Sequence, residues 1–445
     1  MLFQQFVDDD LGCASYLIGD ETAGEAVVID PAYEIAPYLE AAERSEARLI
    51  RVLETHTHAD HVSGHGRLAL EHGLAVAIHP VADAAYPFEP LEDDTEVEVG
   101  AVSIRVLHTP GHRPEHCCFV IVDRSRAEEP WLVLTGDSLF IGDAARPDLA
   151  VAARDGAEGL FHSLQRLLEL GDGVELYPGH VAGSLCGAGM SSKASSTIGF
   201  ERRFNQALAF SHVDEFVSER MRVSAPRPPN MQRIVELNRG PFVPAPHALN
   251  ALSSTKGATV LDVRTESAFV EGHVSGAINI PVSGTSFATK AGFVLAAEER
   301  VAIHASSTEE TEWAARGLRS IGLLELAGYL VEPDASERTY PMGLEELERL
   351  LAEGRVQLVD VREKNERDEG YIAGSRHLPY RQARAYADEL RNGPVATICE
   401  TGARAAIAAS ALVHEGVDAR PVLGAGITEW KAKGKPLISF RRCGS

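Results

Sequence analysis

The sequence predicts a mixed α/β fold, built as one large unit followed by two smaller, related ones. Three observations carry this. Apolar strands alternate with short helices through the first half, strand ends run into loops rich in His, Asp and Gly, and the second half contains an internal repeat. The elements follow in order. Ala26-Val27-Val28-Ile29 reads as a buried strand, residues 35–47 carry helical spacing, and residues 49–53 form another strand. Further strands are expected at 74–78, 102–107, 117–122 and 131–134, with Val174-Glu175-Leu176 after them. Pro226, Pro228 and Pro229, then Gly240-Pro241, Pro244 and Pro246, mark the end of the first unit near residue 245.

Beyond that point, Leu261-Asp262-Val263-Arg264 recurs as Val359-Asp360-Val361-Arg362. At the same offset Gly272-His273-Val274-Ser275-Gly276-Ala277 recurs as Gly370-Tyr371-Ile372-Ala373-Gly374-Ser375, and Pro281 as Pro379. The sequence therefore divides into domains at 1–245, 246–335 and 336–445.

A chain of 445 residues accommodates three domains. Its net charge of −23 repels phosphate backbones and anionic membrane surfaces, so neither nucleic acid nor membrane is an expected partner. It has no apolar run of about 18 residues that could span a bilayer. The start, Met1 to Asp10, lacks the basic and apolar regions of a signal peptide. The six cysteines are scattered, without a C-x-x-C pair, which fits a reducing cytoplasm. A homo-oligomer remains open.

The strand at 49–53 runs into Thr55-His56-Thr57-His58-Ala59-Asp60-His61. Imidazole and carboxylate are the usual ligands of zinc and iron, and a loop at a strand end can aim several at one point. Three more strand ends carry Thr109-Pro110-Gly111-His112, Thr135-Gly136-Asp137 and Tyr177-Pro178-Gly179-His180. Each is weak alone. Together with the His cluster they form a joint signal for a metal site.

That pattern resembles the metallo-β-lactamase fold, an αββα sandwich with metal held between strand-end loops. The longer stretches 54–65, 135–140, 142–149 and 179–187 resemble the persulfide dioxygenases, and the resemblance spans nearly all of residues 1–240. It implies one Fe(II) per dioxygenase domain, held by His56, His112 and Asp137. Two imidazoles and one carboxylate leave three positions open for a thiolate-type substrate and O₂. His58, Asp60, His61 and His180 would then orient those ligands. The residues alone equally allow a site with two Zn that uses all seven. In the family, the loop with Arg146 and Asp148 helps shape the entrance. Arg146 could pair with a substrate carboxylate, or form a surface pair with Asp148. Cys186 either faces the substrate channel or is a small buried residue. Cys13, Cys117 and Cys118 read as core.

In the last domain, strand Val395-Ala396-Thr397-Ile398 leads into Cys399-Glu400-Thr401-Gly402-Ala403-Arg404 and an Ala-rich helix. Backbone N–H groups of such a loop converge on the sulfur at a helix N-terminus, and with Arg404 nearby they would stabilise a charged persulfide. The loop, Asp360-Val361-Arg362, the segment 370–375 and the segment Gly424 to Trp430 resemble the rhodanese family over most of residues 340–435. Arg404 stands five positions after Cys399, as in sulfur-accepting loops; phosphatase-type loops place it six after. Glu400 departs from the basic residue often found there, which argues against easy use of anionic thiosulfate. The middle repeat places Ala305 at the cysteine position and Glu310 where Arg404 would be, so it reads as an inactive rhodanese-like domain.

The expected function is oxidation of a low-molecular-weight thiol persulfide (glutathione, coenzyme A or similar) with O₂ to sulfite. Cys399 would carry sulfane sulfur to form or use thiosulfate. The alternatives are a dizinc thioester hydrolase of glyoxalase II type and a non-enzymatic sulfur relay.

Overall fold

The computed structural model describes residues 1–148, 151–181, 191, 193–222, 226–255, 257–331, 333–335 and 337–439. The chain divides into two compact units. One comprises residues 1–246 with 319–322, the other 247–318 with 323–445. Among the described residues no helix is long and apolar enough to cross a membrane.

In the first unit, β1 (Leu2–Val7), β2 (Ala14–Asp20), β3 (Glu25–Ile29), β4 (Arg48–Leu53), β5 (Ala75–Ile78) and β6 (Glu89–Pro90) pair in chain order as one sheet. A second sheet holds β7 (Glu96–Val99), β8 (Val102–His108), β9 (Cys117–Asp123), β10 (Leu132–Gly136), β11 (Glu175–Pro178) and β12 (Ser196–Thr197), again paired in chain order. The expected strands appear with ends displaced by a residue or two.

Side chains alternate along each strand, and this alternation builds the layers. Val27 and Ile29 of β3 pack with Cys117, Phe119 and Ile121 of β9 in the core between the sheets. Their neighbours point outward: Val28 packs with Tyr38 and Leu68 of the helices Ala36–Arg44 and His65–His72. Cys118 and Val120 pack with Leu160, Leu164 and Leu167 of the helix Ala153–Leu168. The unit is thus an αββα sandwich, and Cys117 and Cys118 are core residues on opposite faces of one strand.

β3, β4 and β5 run parallel, as do β10 and β11. β8 and β10 are both antiparallel to β9, so they share a direction. The loops that follow β8, β10 and β11 therefore emerge at one end of their sheet, and those that follow β3 and β4 at one end of theirs. The two sheets are stitched together beside these loops. Ala14 N–H donates to the carbonyl of Gly179 at 2.7 Å, and Val181 N–H donates to that of Gly12 at 2.9 Å. Cys13 and His180 are thereby bridge partners.

In the second unit all strands are parallel. β13 (Ala251–Leu252), β14 (Thr259–Asp262), β15 (Ile278–Asn279), β16 (Val301–His304) and β17 (Leu326–Leu330) are arranged β13-β17-β16-β14-β15. β18 (Gln357–Asp360), β19 (Arg376–His377), β20 (Val395–Ile398) and β21 (Ala419–Pro421) are arranged β19-β18-β20-β21. Apart from β13, the second order repeats the first strand for strand. The internal repeat of the sequence is therefore a repeat of topology.

Candidate metal centre and cysteine loop

The three strand-end loops and the His-rich loop converge. One donor atom each of His56, His112 and Asp137 lies within 4.8 Å of the other two, and all three residues are buried. Their tautomers follow from their partners. Thr55 donates its hydroxyl to Asp30 Oδ2 at 2.8 Å, so it can only accept from His56 Nδ1, 2.9 Å away. His56 Nε2 is then the unprotonated atom. Burial, with neighbouring cationic groups adding to it, holds the His56 imidazole well below its ordinary pKa, which keeps that lone pair available. Burial likewise lowers His112.

Asp137 is fixed from two sides. Its backbone N–H donates to His116 Nε2 at 2.9 Å, which leaves His116 Nδ1 to donate to Thr109 Oγ1 at 2.9 Å. Burial pushes the His116 imidazole down to about 3, in keeping with a neutral ring. On the other side His180 donates from Nδ1 to Asp137 Oδ1 at 2.7 Å and from Nε2 to Asp60 Oδ2 at 2.6 Å. Burial opposes charging His180, but the Asp137 and Asp60 carboxylates outweigh it and raise the group to about 10. Two glycines allow this crowding. A Cβ on Gly136, at φ +47°, would stand 2.7 Å from His116 Nε2, and one on Gly179 would stand 2.7 Å from Asp137 Oδ1.

The residues fit a metal ion. The donor set is two imidazoles and a carboxylate, and among the described residues the buried Asp137 Oδ2 and His112 Nδ1 have no hydrogen-bond partner.

The other candidates lie around this trio. His58 turns away from this trio: its Nε2 lies 3.2 Å from Asp30 Oδ1 and 3.1 Å from Glu54 Oε2. Asp60 and His61 group with Cys13, whose thiol donates to Asp60 Oδ2 at 3.1 Å. Asp60 contacts both His61, at 3.3 Å, and His180, at 2.6 Å, and the His58 ring lies 4.3 Å from that of His61 while its Nε2 faces Asp30 and Glu54. Cys13 is buried, as expected of a core residue, but its sulfur belongs to this polar cluster. Arg146 is buried and pairs with Asp148 through two hydrogen bonds, at 2.7 and 2.9 Å, and Arg227 also reaches Asp148. The Arg146–Asp148 pair is therefore not a surface pair. Cys186 lies outside the described residues.

Several participants went unnoticed in the sequence. Asp30 and Glu54 each follow an apolar strand directly, as His56 nearly does, and that placement is the signal that could have found them. His116 lay in plain view after His112. Asn238 had no signal. From a helix far along the chain its amide donates to the carbonyls of His58 at 3.0 Å and His61 at 2.8 Å, and holds the loop's backbone.

In the second unit, Cys399 follows β20 directly and is 1% exposed. Gly402, at φ +121°, donates its N–H to Cys399 Sγ at 3.1 Å, and the helix Ala403–His414 begins there. Arg404 is engaged by Glu366 through two hydrogen bonds, at 2.6 and 2.5 Å. Glu400 is tied down by Arg362 at 3.0 Å and by the Thr428 hydroxyl at 2.7 Å. In the other repeat the loop after β16 begins at Ala305, and Glu310 accepts from Ser306 N–H at 2.7 Å.

Comparison with known proteins agrees with this architecture. The metallo-beta-lactamase superfamily model matches residues 8–180, and the rhodanese-like domain model matches 245–329 and 343–433. The mitochondrial persulfide dioxygenase ETHE1 of Bos taurus is 30% identical over 241 residues, covering 54% of this chain and 87% of its own. That of Homo sapiens is 30% identical over 237 residues, covering 53% and 86%. Among solved structures, a metallo-beta-lactamase from Staphylococcus aureus subsp. aureus COL aligns with TM-score 0.68 and 29% identity, over 74% of this chain and 98% of that one. The chain therefore belongs to the metallo-β-lactamase superfamily, with an N-terminal half similar to ETHE1 persulfide dioxygenase and rhodanese-like domains after it.

Proposed function

We propose that the chain oxidises a small thiol persulfide with O₂ and passes sulfane sulfur through Cys399. The observation that carries this is the gathering of His56, His112 and Asp137 with His58 withdrawn, a donor set of two imidazoles and one carboxylate. A single Fe(II) bound there would supply redox chemistry with open coordination positions for substrate and O₂. His180 and His116 hold the Asp137 side chain and backbone, so the carboxylate needs little reorganisation. The overall conversion is persulfide, O₂ and water to thiol, sulfite and two protons.

In the second step Cys399 takes the outer sulfur of another persulfide and releases its thiol. The Gly402 N–H faces the Cys399 sulfur that would bear the charge. Sulfite then attacks the outer sulfur of the Cys399 persulfide, and thiosulfate leaves with the Cys399 thiol restored. Carrying both steps on one chain raises the effective concentration of sulfite at its acceptor. The thiol carrier is glutathione, coenzyme A or a similar small thiol. We place the domain limits near 245 and 335, with the middle domain inactive. We place the protein in a reducing cytoplasm, where thiols such as those of Cys117, Cys118 and Cys399 stay free.

The test is O₂ uptake by iron-loaded protein given glutathione persulfide, with sulfite and thiosulfate measured. Uptake should track persulfide added. No uptake above buffer, from protein with a full complement of iron, overturns the dioxygenase reading.

A further inference from the structure

We propose that Asp30 and Glu54 form a clamp that withdraws His58 from the metal and so decides which ligand set the His-rich loop presents. The inference rests on the metal being held by His56, His112 and Asp137.

His56 and His58 are two residues apart on one loop, with ring centroids 4.3 Å apart. Proximity alone therefore does not separate them, and a third imidazole stands ready beside the trio. What turns it away is a pair of carboxylates. His58 Nε2 lies 3.2 Å from Asp30 Oδ1 and 3.1 Å from Glu54 Oε2, and both acids are buried. Both contacts are short, and the ring is held by its position between the two carboxylates rather than by aligned hydrogen bonds.

Each jaw is braced from behind. Asp30 stands at the end of β3 with φ +50°, and accepts from Thr55 N–H at 2.7 Å and Thr55 Oγ1 at 2.8 Å. Glu54 Oε1 accepts from Ser63 Oγ at 2.5 Å and His65 Nδ1 at 2.9 Å. Those bonds fill one oxygen. Among the described residues Glu54 Oε2 has no hydrogen-bond partner and is left for His58. Swinging His58 toward the metal would leave two buried carboxylates facing each other without it, which is costly. The clamp thus favours two imidazoles and a carboxylate, open on one side. Without it the loop could offer three imidazoles, a set that suits zinc.

The experiment uses the full chain, loaded separately with Fe(II) without oxygen and with Zn(II). Metal content is read by elemental analysis and zinc affinity by chelator competition. His58→Ala should keep its metal, with zinc affinity within about threefold of the parent, because His58 is not a ligand. Glu54→Gln should bind zinc about tenfold tighter, and adding His58→Ala should cancel the gain. Any of three results would overturn the clamp. One is His58→Ala losing metal as His56→Ala does. Another is a folded Glu54→Gln with unchanged zinc affinity. A metal that survives His56→Ala but is lost in Glu54→Gln would place the ion within the clamp itself, and also overturns it. If Glu54→Gln does not fold, His58→Ala decides alone. Failure of the parent reading has a different signature: His56→Ala, His112→Ala and Asp137→Ala would all hold as much metal as the unaltered chain.

Discussion

Arg404 donates from both terminal nitrogens to the two carboxylate oxygens of Glu366, at 2.6 and 2.5 Å. The cation of the cysteine loop is therefore partly neutralised by a residue of the preceding strand–helix unit. Glu366→Gln removes a negative charge beside the loop, worth about 1 kcal/mol to an approaching dianion at intermediate dielectric. We expect kcat/KM for thiosulfate as sulfur donor to rise about fivefold. A steady-state sulfurtransferase assay at low salt checks this, and the gain should shrink as salt is raised.

The same pair makes a pH prediction. Burial raises the Glu366 carboxyl, but its bonds to Arg404 prevail and hold it below the ordinary carboxylate range. A depressed folded-state pKa stabilises above the unfolded value of about 4.3, and the contribution is lost as pH falls through the folded value. Both side chains are partly exposed, so the amount is below about 1 kcal/mol after screening. Denaturant titrations should show Glu366→Gln less stable than the parent at pH 7, and the difference should close below about pH 4.

The trio of the candidate metal centre was legible because its parts are local. His56, His112 and Asp137 each follow a strand within a few residues, and a strand end fixes where a side chain can point. The apolar strands marked the α/β class, and the αββα order came with the resemblance to the metallo-β-lactamase fold. What could not be read was set by contacts between distant segments. Cys13 looked like a core residue because its bridge to His180 joins two sheets that only the fold brings together. The direction of His58 depends on Asp30, from another strand, and Asn238 reaches the loop from a helix far along the chain. Arg404 stands in the first turn of the helix Ala403–His414, and nothing local to it names Glu366 as its partner.

His180 braces Asp137 while also binding Asp60. His180→Ala removes that brace and leaves the buried Asp137 and the half-buried Asp60 carboxylates without its charge. Metal affinity should fall by about 10–100-fold, the usual cost of losing an orienting partner. Chelator competition measures it. An affinity equal to the parent's would show that Asp137 is held by its backbone bond to His116 alone.

Gly136 cannot accept a side chain. A Cβ there would press on His116 Nε2 at 2.7 Å and Thr55 Oγ1 at 3.0 Å, in a left-handed backbone conformation. Gly136→Ala should cost about 2 kcal/mol and lower the melting temperature of the first unit by about 5 °C. Because both neighbours orient the metal trio, metal content of the purified variant should fall with it. Calorimetry and elemental analysis check the two effects separately.

Cys399→Ser separates the two chemistries. A serine hydroxyl is similar in size and can still accept from Gly402 N–H, so the loop should keep its shape. It cannot carry a sulfane sulfur. With glutathione persulfide as the only substrate, the parent should convert the sulfite it makes into thiosulfate. The variant should consume O₂ at a rate within about twofold of the parent, since its change lies outside the metal trio, and sulfite should accumulate in place of thiosulfate. Chromatographic analysis of both anions over time decides the matter. Thiosulfate formed by the variant at the parent's rate, above the uncatalysed reaction of sulfite with persulfide, would mean that sulfur does not pass through Cys399.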